Sequence, residues 1–171
     1  MHTFFSLNQV QNTSNINSSS TTLMVNEPLN NPTFLELFSA YYNDNTSEAK
    51  QDALAEHLNT MEYLVAFYSI DDIEIQPSQT EITIHKEDNL SLLISTTSER
   101  EIYLPIFTDT AALKHFTSES VFTLRVPAKW LWEFALSQKG FSGVVINPHT
   151  ISWDLSLEHI QSLLDDINKS H

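Results

Sequence analysis

The chain reads as an α+β protein, a mixed β-sheet flanked by helices, with a helical hairpin at its N-terminal end and βαβ-type units in its C-terminal half. Three observations carry that reading. Between Pro32 and Leu58 apolar residues recur at helical spacing; from Glu62 to Thr96 short segments are apolar throughout or alternate with period two; after Arg100 extended and helical patterns take turns. At 171 residues, 41% of them hydrophobic, the chain is long enough for one core and needs no cross-link to fold.

From Asn8 to Asn31 the composition is Asn, Ser, Thr and Gln around Ser18-Ser19-Ser20-Thr21-Thr22, with only isolated apolar residues. Such a segment buries too little to offset the entropy of ordering it, so residues 1–30 are expected to be a flexible Ser/Asn-rich tail and residues 31–171 a single domain. Asn31-Pro32 starts the first helix, Asn being a good N-cap and Pro suited to the first helical position, and Phe34, Leu35, Phe38, Tyr41 and Tyr42 follow on it. A second helix starts at Thr46 or Ser47, with Glu48 in its first turn and Ala49, Ala53, Leu54 and Leu58 expected on one face. Glu62–Tyr68, Glu81–His85 and Leu90–Thr96 read as the strands of a meander, with Glu87-Asp88-Asn89 as a hairpin turn.

The second half is predicted as strand 101–107, helix 109–116, strand 121–125, helix 127–138 and strand 144–146, a spacing that permits βαβ crossovers. Thr108 or Asp109 can cap the first of these helices and Pro127 suits the first position of the second. The only two glycines of the chain, Gly140 and Gly143, mark structural turns: Gly140 as a left-handed C-cap, Gly143 as a close-packed strand start. A last strand, Ile151–Trp153, precedes a helix carrying Leu157, Ile160, Leu164 and Ile167.

Composition excludes several chemistries. With no cysteine there is no disulfide, thiolate metal site or thiol nucleophile. A net charge of −14 opposes any non-specific hold on nucleic acid or an anionic bilayer. The acidity is uneven, since Lys114, Arg125, Lys129 and Lys139 make the second half nearly neutral. No run approaches the roughly 18 apolar residues of a membrane span, and the N-terminus lacks the basic and apolar regions of a signal peptide; a cytoplasmic location is the expectation.

The residues from Tyr103 to Asp109 (Tyr-Leu-Pro-Ile-Phe-Thr-Asp), the helix containing Leu113, and Gly143-Val144-Val145-Ile146-Asn147-Pro148 resemble, in order and spacing, the N-terminal domain of the SseB-like (enhanced serine sensitivity) family. The resemblance runs from about Asn31 to about Ile167. It implies a small bacterial α and β domain, with no reaction or cofactor that transfers. The chain departs from the pattern in its long Ser/Asn segment in front, and it leaves no room for the second domain that some members carry behind.

No residue pattern spells out a reaction. Gly-x-Ser-x-Gly, His-Glu-x-x-His and the phosphate-loop pattern are missing, and Glu56-His57 and Glu158-His159 are adjacent pairs whose side chains diverge on a helix. No catalytic residue, metal ligand or cofactor is assigned. Gly140-Phe141-Ser142-Gly143 beside Lys139 has the form of a nucleic-acid-clamping turn, but a helix-to-strand turn in so acidic a chain reads as a cap.

The candidate partner- or ligand-binding residues are Pro105, Phe107, Thr108, Asp109, Trp132, Asn147, Pro148 and His149. Phe107, Thr108, Asp109, Asn147 and His149 should converge at neighbouring strand ends, where open α/β sheets tend to bind ligands; equally, Asn147-Pro148-His149 is a tight turn by its own chemistry. Trp130 and Trp132 lie about 200° apart on a helix, so they cannot both face one core; Trp132 is either covered by a neighbouring helix or part of a dimer or partner surface. The functional expectation is a non-enzymatic module binding a protein partner or a second copy through the Pro105–Asp109 turn and Trp132. The alternatives are a small-molecule sensor or enzyme with its pocket at the strand ends, and an acidic immunity-type antagonist of a basic partner.

Overall fold

The computed structural model describes residues 4–6, 20–85 and 87–171. In chain order the elements are β1 (Phe4–Ser6), β2 (Ser20–Val25), α1 (Pro32–Asn43), α2 (Glu48–Thr60), β3 (Glu62–Ile70), β4 (Glu81–His85), β5 (Leu90–Leu93), β6 (Ser95–Thr96), β7 (Ile102–Phe107), α3 (Thr110–Phe116), β8 (Phe122–Pro127), α4 (Ala128–Ser137), β9 (Gly143–Ile146), β10 (Trp153–Ser156) and α5 (Leu157–Lys169). The α+β class, the helical pair and the mixed sheet stand as expected.

The strands form one sheet in the order β10-β9-β7-β3-β8-β2-β4, with β5 beside β3, β1 on β5 and β6 on β7. Among the described residues only β7 and β9 pair in parallel; the other ladders are antiparallel. Strands β7 and β8 both run antiparallel to β3, so β7-α3-β8 and β8-α4-β9 are crossovers between strands of like direction that are not neighbours. The alternation in the C-terminal half encoded this connectivity; where β3 slots in was not encoded there.

The tail is corrected in both of its described stretches: Phe4–Ser6 pairs with β5 as a strand, and a second segment pairs with β4 and β8. Ser20–Val25 is a sheet strand, pairing Ser20 to Met24 with His85 to Glu81 of β4 and joining β8 through Met24 and Val25. Leu23 and Val25 are buried in the core. Beyond it, Asn26 receives the Thr123 N–H on its Oδ1, the Leu29 N–H donates to the Thr110 hydroxyl and the Leu29 carbonyl accepts the Thr110 N–H, so residues 26–29 are fastened to β8 and α3. Period-two placement of two apolar residues sufficed because β4 and β8 supply the hydrogen-bonding edges. The expectation for residues 1–3 and 7–19 lies outside the described residues.

The meander is also corrected. The Glu87-Asp88-Asn89 turn forms, with the His85 N–H donating to the Asp88 carboxylate at 2.7 Å. Its flanking strands nevertheless separate: β4 pairs with β2 and β5 with β3. Strand β4 takes the partner that the N-terminal segment supplies. Residues 90–96 split into β5 and β6 because β3 and β7 share the neighbouring edge in succession.

Asn31 caps α1 by accepting the Phe34 N–H at 3.2 Å, and Pro32 opens the helix. In α2, Leu54 and Leu58 are buried but Ala49 is exposed, off the expected face. Pro127 is the N-cap of α4, one position earlier than expected, and the helix ends at Ser137 with Gln138 as its C-cap. Gly140, with φ +106°, therefore turns the chain two residues past the cap and does not itself cap the helix. The last strand begins at Trp153, displaced toward α5, because Ser152 at φ +51° still belongs to the turn.

Alternation along the strands divides two cores. Tyr63, Val65, Phe67, Leu104, Ile106, Leu124, Val126, Val144 and Ile146 face α1, α2, α4 and α5. Leu64, Ala66, Leu93 and Phe107 face the other side, under Ala112, Leu113 and Phe116 of α3. Burial of this extent, at about 25 cal/mol per Å² of apolar surface, is the principal drive to fold.

Candidate interaction site

The strand-end residues do converge, and hydrogen bonds among themselves occupy them. The backbone N–H of Asn147 donates to the Ile106 carbonyl at 2.9 Å, extending the β7–β9 ladder by one residue. Its side chain clasps the end of β7: Oδ1 accepts the Thr108 N–H at 2.9 Å and Nδ2 donates to the Thr108 hydroxyl at 2.8 Å. That hydroxyl donates in turn to Asp109 Oδ2 at 3.1 Å, while Asp109 Oδ1 accepts the Ala112 N–H at 2.8 Å as the N-cap of α3. Asn147 sits at φ +46°, a region that its short polar side chain tolerates, and its carbonyl accepts from the backbone N–H groups of Thr150 and Ser152. Thr108 and Asn147 are buried, at 0% and 1% exposure, with every polar side-chain atom satisfied.

Of the other candidates, Pro105 and Pro148 are buried and His149 is exposed, its ring 4.9 Å from that of Phe116. Phe107 is 0% exposed and meets Phe116 at 5.6 Å. Trp132 is likewise 0% exposed: its Nε1–H donates to Asn59 Oδ1 of α2 at 3.0 Å and its ring tilts against Tyr63 at 5.4 Å. The expectation that Phe107 and Trp132 offer a binding surface is therefore corrected; both are core residues, with Trp132 covered by a neighbouring helix. Gly143 is the close approach it was expected to be, since a Cβ there would stand 2.1 Å from the Leu155 carbonyl oxygen of β10.

A different surface is left apolar. Along α1, Phe34, Phe38 and Tyr42 stack one above another, with ring centroids 5.8 and 6.2 Å apart. Phe34 is buried, Phe38 half-buried and Tyr42 77% exposed; Leu35, beside them, is 47% exposed. Trp153 of β10 closes the group, 5.2 Å from Phe38 and 6.0 Å from Tyr41. The signal was present in the sequence: taking Phe34 as the inward direction, Leu35 and Tyr42 fall about 100° and 80° round the helix, too far for one core to cover.

One ionisable group at the end of α1 is shifted: hydrogen bonding to Lys50 holds the Asp44 carboxyl below the usual carboxylate range. Burial pushes the Tyr63 hydroxyl well up and depresses His57, whose Nε2 lies 3.1 Å from Asn31 Oδ1. Tyr68 is raised to about 12 by burial first and then by its hydrogen bond to Glu119. Among the described residues no group of His, Cys, Asp and Glu is placed to hold a metal ion, and no helix is long and apolar enough to cross a membrane.

A mixed sheet with four helices on one face, one short helix on the other and an Asn-clasped pair of strand ends defines an α+β domain whose polar turn serves its own architecture. Residues 36–162 match the family model of the SseB protein N-terminal domain, and the chain belongs to that family. No curated protein and no solved structure matches the chain. The matched region begins after β2, so the strand that β4 and β8 enclose lies in front of it.

Proposed function

We propose that this domain is a non-enzymatic protein-interaction module that docks through the aromatic surface of α1 and Trp153. The observation that carries the reading is the stacked series ending in Tyr42, 77% exposed, on a helix whose other aromatic residues are at least half-buried. Exposed Tyr and Trp beside apolar residues supply contact area at low entropic cost, which is why they concentrate in interfaces. Thr108, Asp109 and Asn147 spend their hydrogen bonds on one another, which favours an architectural use of that turn.

Affinity capture from lysate of the native host, with the wild-type chain and Tyr42→Ala side by side, tests the module reading. A stoichiometric protein retained by the wild type and lost from the folded variant is the expected result; equal retention by both removes the surface from consideration. A second reading, a small-molecule site beside Asp109 and the exposed His149, draws on their convergence at the strand ends. A ligand at about 100 times its dissociation constant adds roughly 2.7 kcal/mol of stability, so a metabolite panel without any thermal shift counts against it.

A further inference from the structure

The α1–β10 surface differs from the rest of the molecule in charge as well as in apolarity. In a chain of net charge −14, the twelve residues of α1 include one ionisable acid, Glu36, about 160° round the helix from Phe38. The acid at its C-terminal end, Asp44, is neutralised by Lys50 at 3.1 Å. Between Ile151 and Leu157 the one charged residue is Asp154, which pairs with Val145 and so points away from the sheet face that Trp153 shares with Ile146. Strand β10 is also the last strand of the sheet, and none of the described residues pairs with its outer edge.

We infer that this surface is the interface of a symmetric homodimer, with the α1–Trp153 face of one copy seated on the same face of a second. The inference rests on the module reading above and names its partner. A neutral apolar face is complementary to another neutral apolar face; a cationic partner would be drawn to acids that the Phe38–Tyr42 face of α1 does not present. Two copies at −14 repel through most of their surface, and this face lets them meet without opposing carboxylates. A twofold axis satisfies the match with one surface, laying Phe38, Tyr42 and Leu35 of each copy against those of the other. Helix α1 is only about 18 Å long, so it does not alone reach the roughly 800 Å² per partner of a stable interface. The adjoining β10 edge has to contribute, and the affinity is accordingly on the order of micromolar.

Sedimentation velocity over a micromolar concentration series, in roughly 10 mM and about 1 M NaCl, tests this with the purified chain. The expected result is a concentration-dependent shift from 19.5 kDa to twice that mass, stronger in high salt, because a Debye length of about 3 Å screens the repulsion that about 30 Å leaves in place. Tyr42→Asp and Leu35→Asp, both at exposed positions, weaken association about tenfold or more with unchanged melting behaviour. Met24→Thr, removing the third large apolar side chain exposed among the described residues, at 40%, leaves it intact. A single 19.5 kDa species at every concentration and salt overturns the dimer, as does a dimer indifferent to Tyr42→Asp. If the chain is monomeric while Tyr42→Ala still loses a captured protein, the second copy is wrong and the module reading survives.

Discussion

Asn147 shows how one side chain can hold two strand ends. Replacing it with Ala leaves the buried Thr108 N–H without an acceptor, takes the donor from the Thr108 hydroxyl, which keeps its bond to Asp109, and puts a residue whose side chain makes no local hydrogen bonds at φ +46°. The expected loss is about 3 kcal/mol in urea unfolding, and a loss below about 1 kcal/mol would refute the clasp. The two glycines separate two uses of the residue. Gly143→Ala drives a methyl into the Leu155 carbonyl and should loosen β10, whereas Gly140→Ala meets nothing within 4 Å and bears only the strain of φ +106°. Comparative melting curves should therefore rank Gly143→Ala as the more damaging. Burial holds the His57 imidazole below its usual 6.5. Its unfolded form takes the proton more readily, so stability is fully present above pH 6.5 and declines as pH falls below it. His57→Gln should flatten that slope; an identical pH dependence in wild type and variant would exclude His57 as its source.

At the scale of elements, helices were more legible than strand partners. Asn31-Pro32 and Asp109 mark helix starts by local chemistry alone, and their side-chain oxygens take the N–H groups that capping requires. Strand β2 was not legible, because its interior positions are only Leu23 and Val25 in a polar run, and its stability comes from β4 and β8. Val25→Asp, which places an unpaired carboxylate at a site 1% exposed, should cost about 3 kcal/mol or more, and deleting residues 1–30 should leave β4 without its strand partner and the product aggregation-prone. A truncated chain that melts like the full one, measured by circular dichroism, would return Ser20–Val25 to the status of a tail.

For the molecule as a whole, charge is the dominant long-range property. Among the described residues three ion pairs form, Lys50–Asp44, Arg125–Glu62 and Lys169–Asp166, each at least partly open to solvent and worth little. They do not balance a net charge of −14, so self-repulsion opposes the compact state. Raising NaCl from roughly 10 mM to about 0.15 M should raise the melting temperature at neutral pH; a fall would mean that the few ion pairs outweigh the repulsion. The same charge distribution leaves α1 as a nearly neutral face, which is why its aromatic residues matter at this scale.

The sequence by itself determined the fold class, the helix starts, the crossover order of the C-terminal half and the family, because caps, periodicity and turn residues act within a few positions of one another. Only the tertiary structure decided that β4 leaves β3 for an N-terminal strand, that Trp132 and Phe107 lie inside, and that Leu35, Tyr42 and part of Trp153 lie outside. Those outcomes depend on which distant segment covers a given face, and the physical interaction responsible, burial of apolar surface, has no direction and no sequence range.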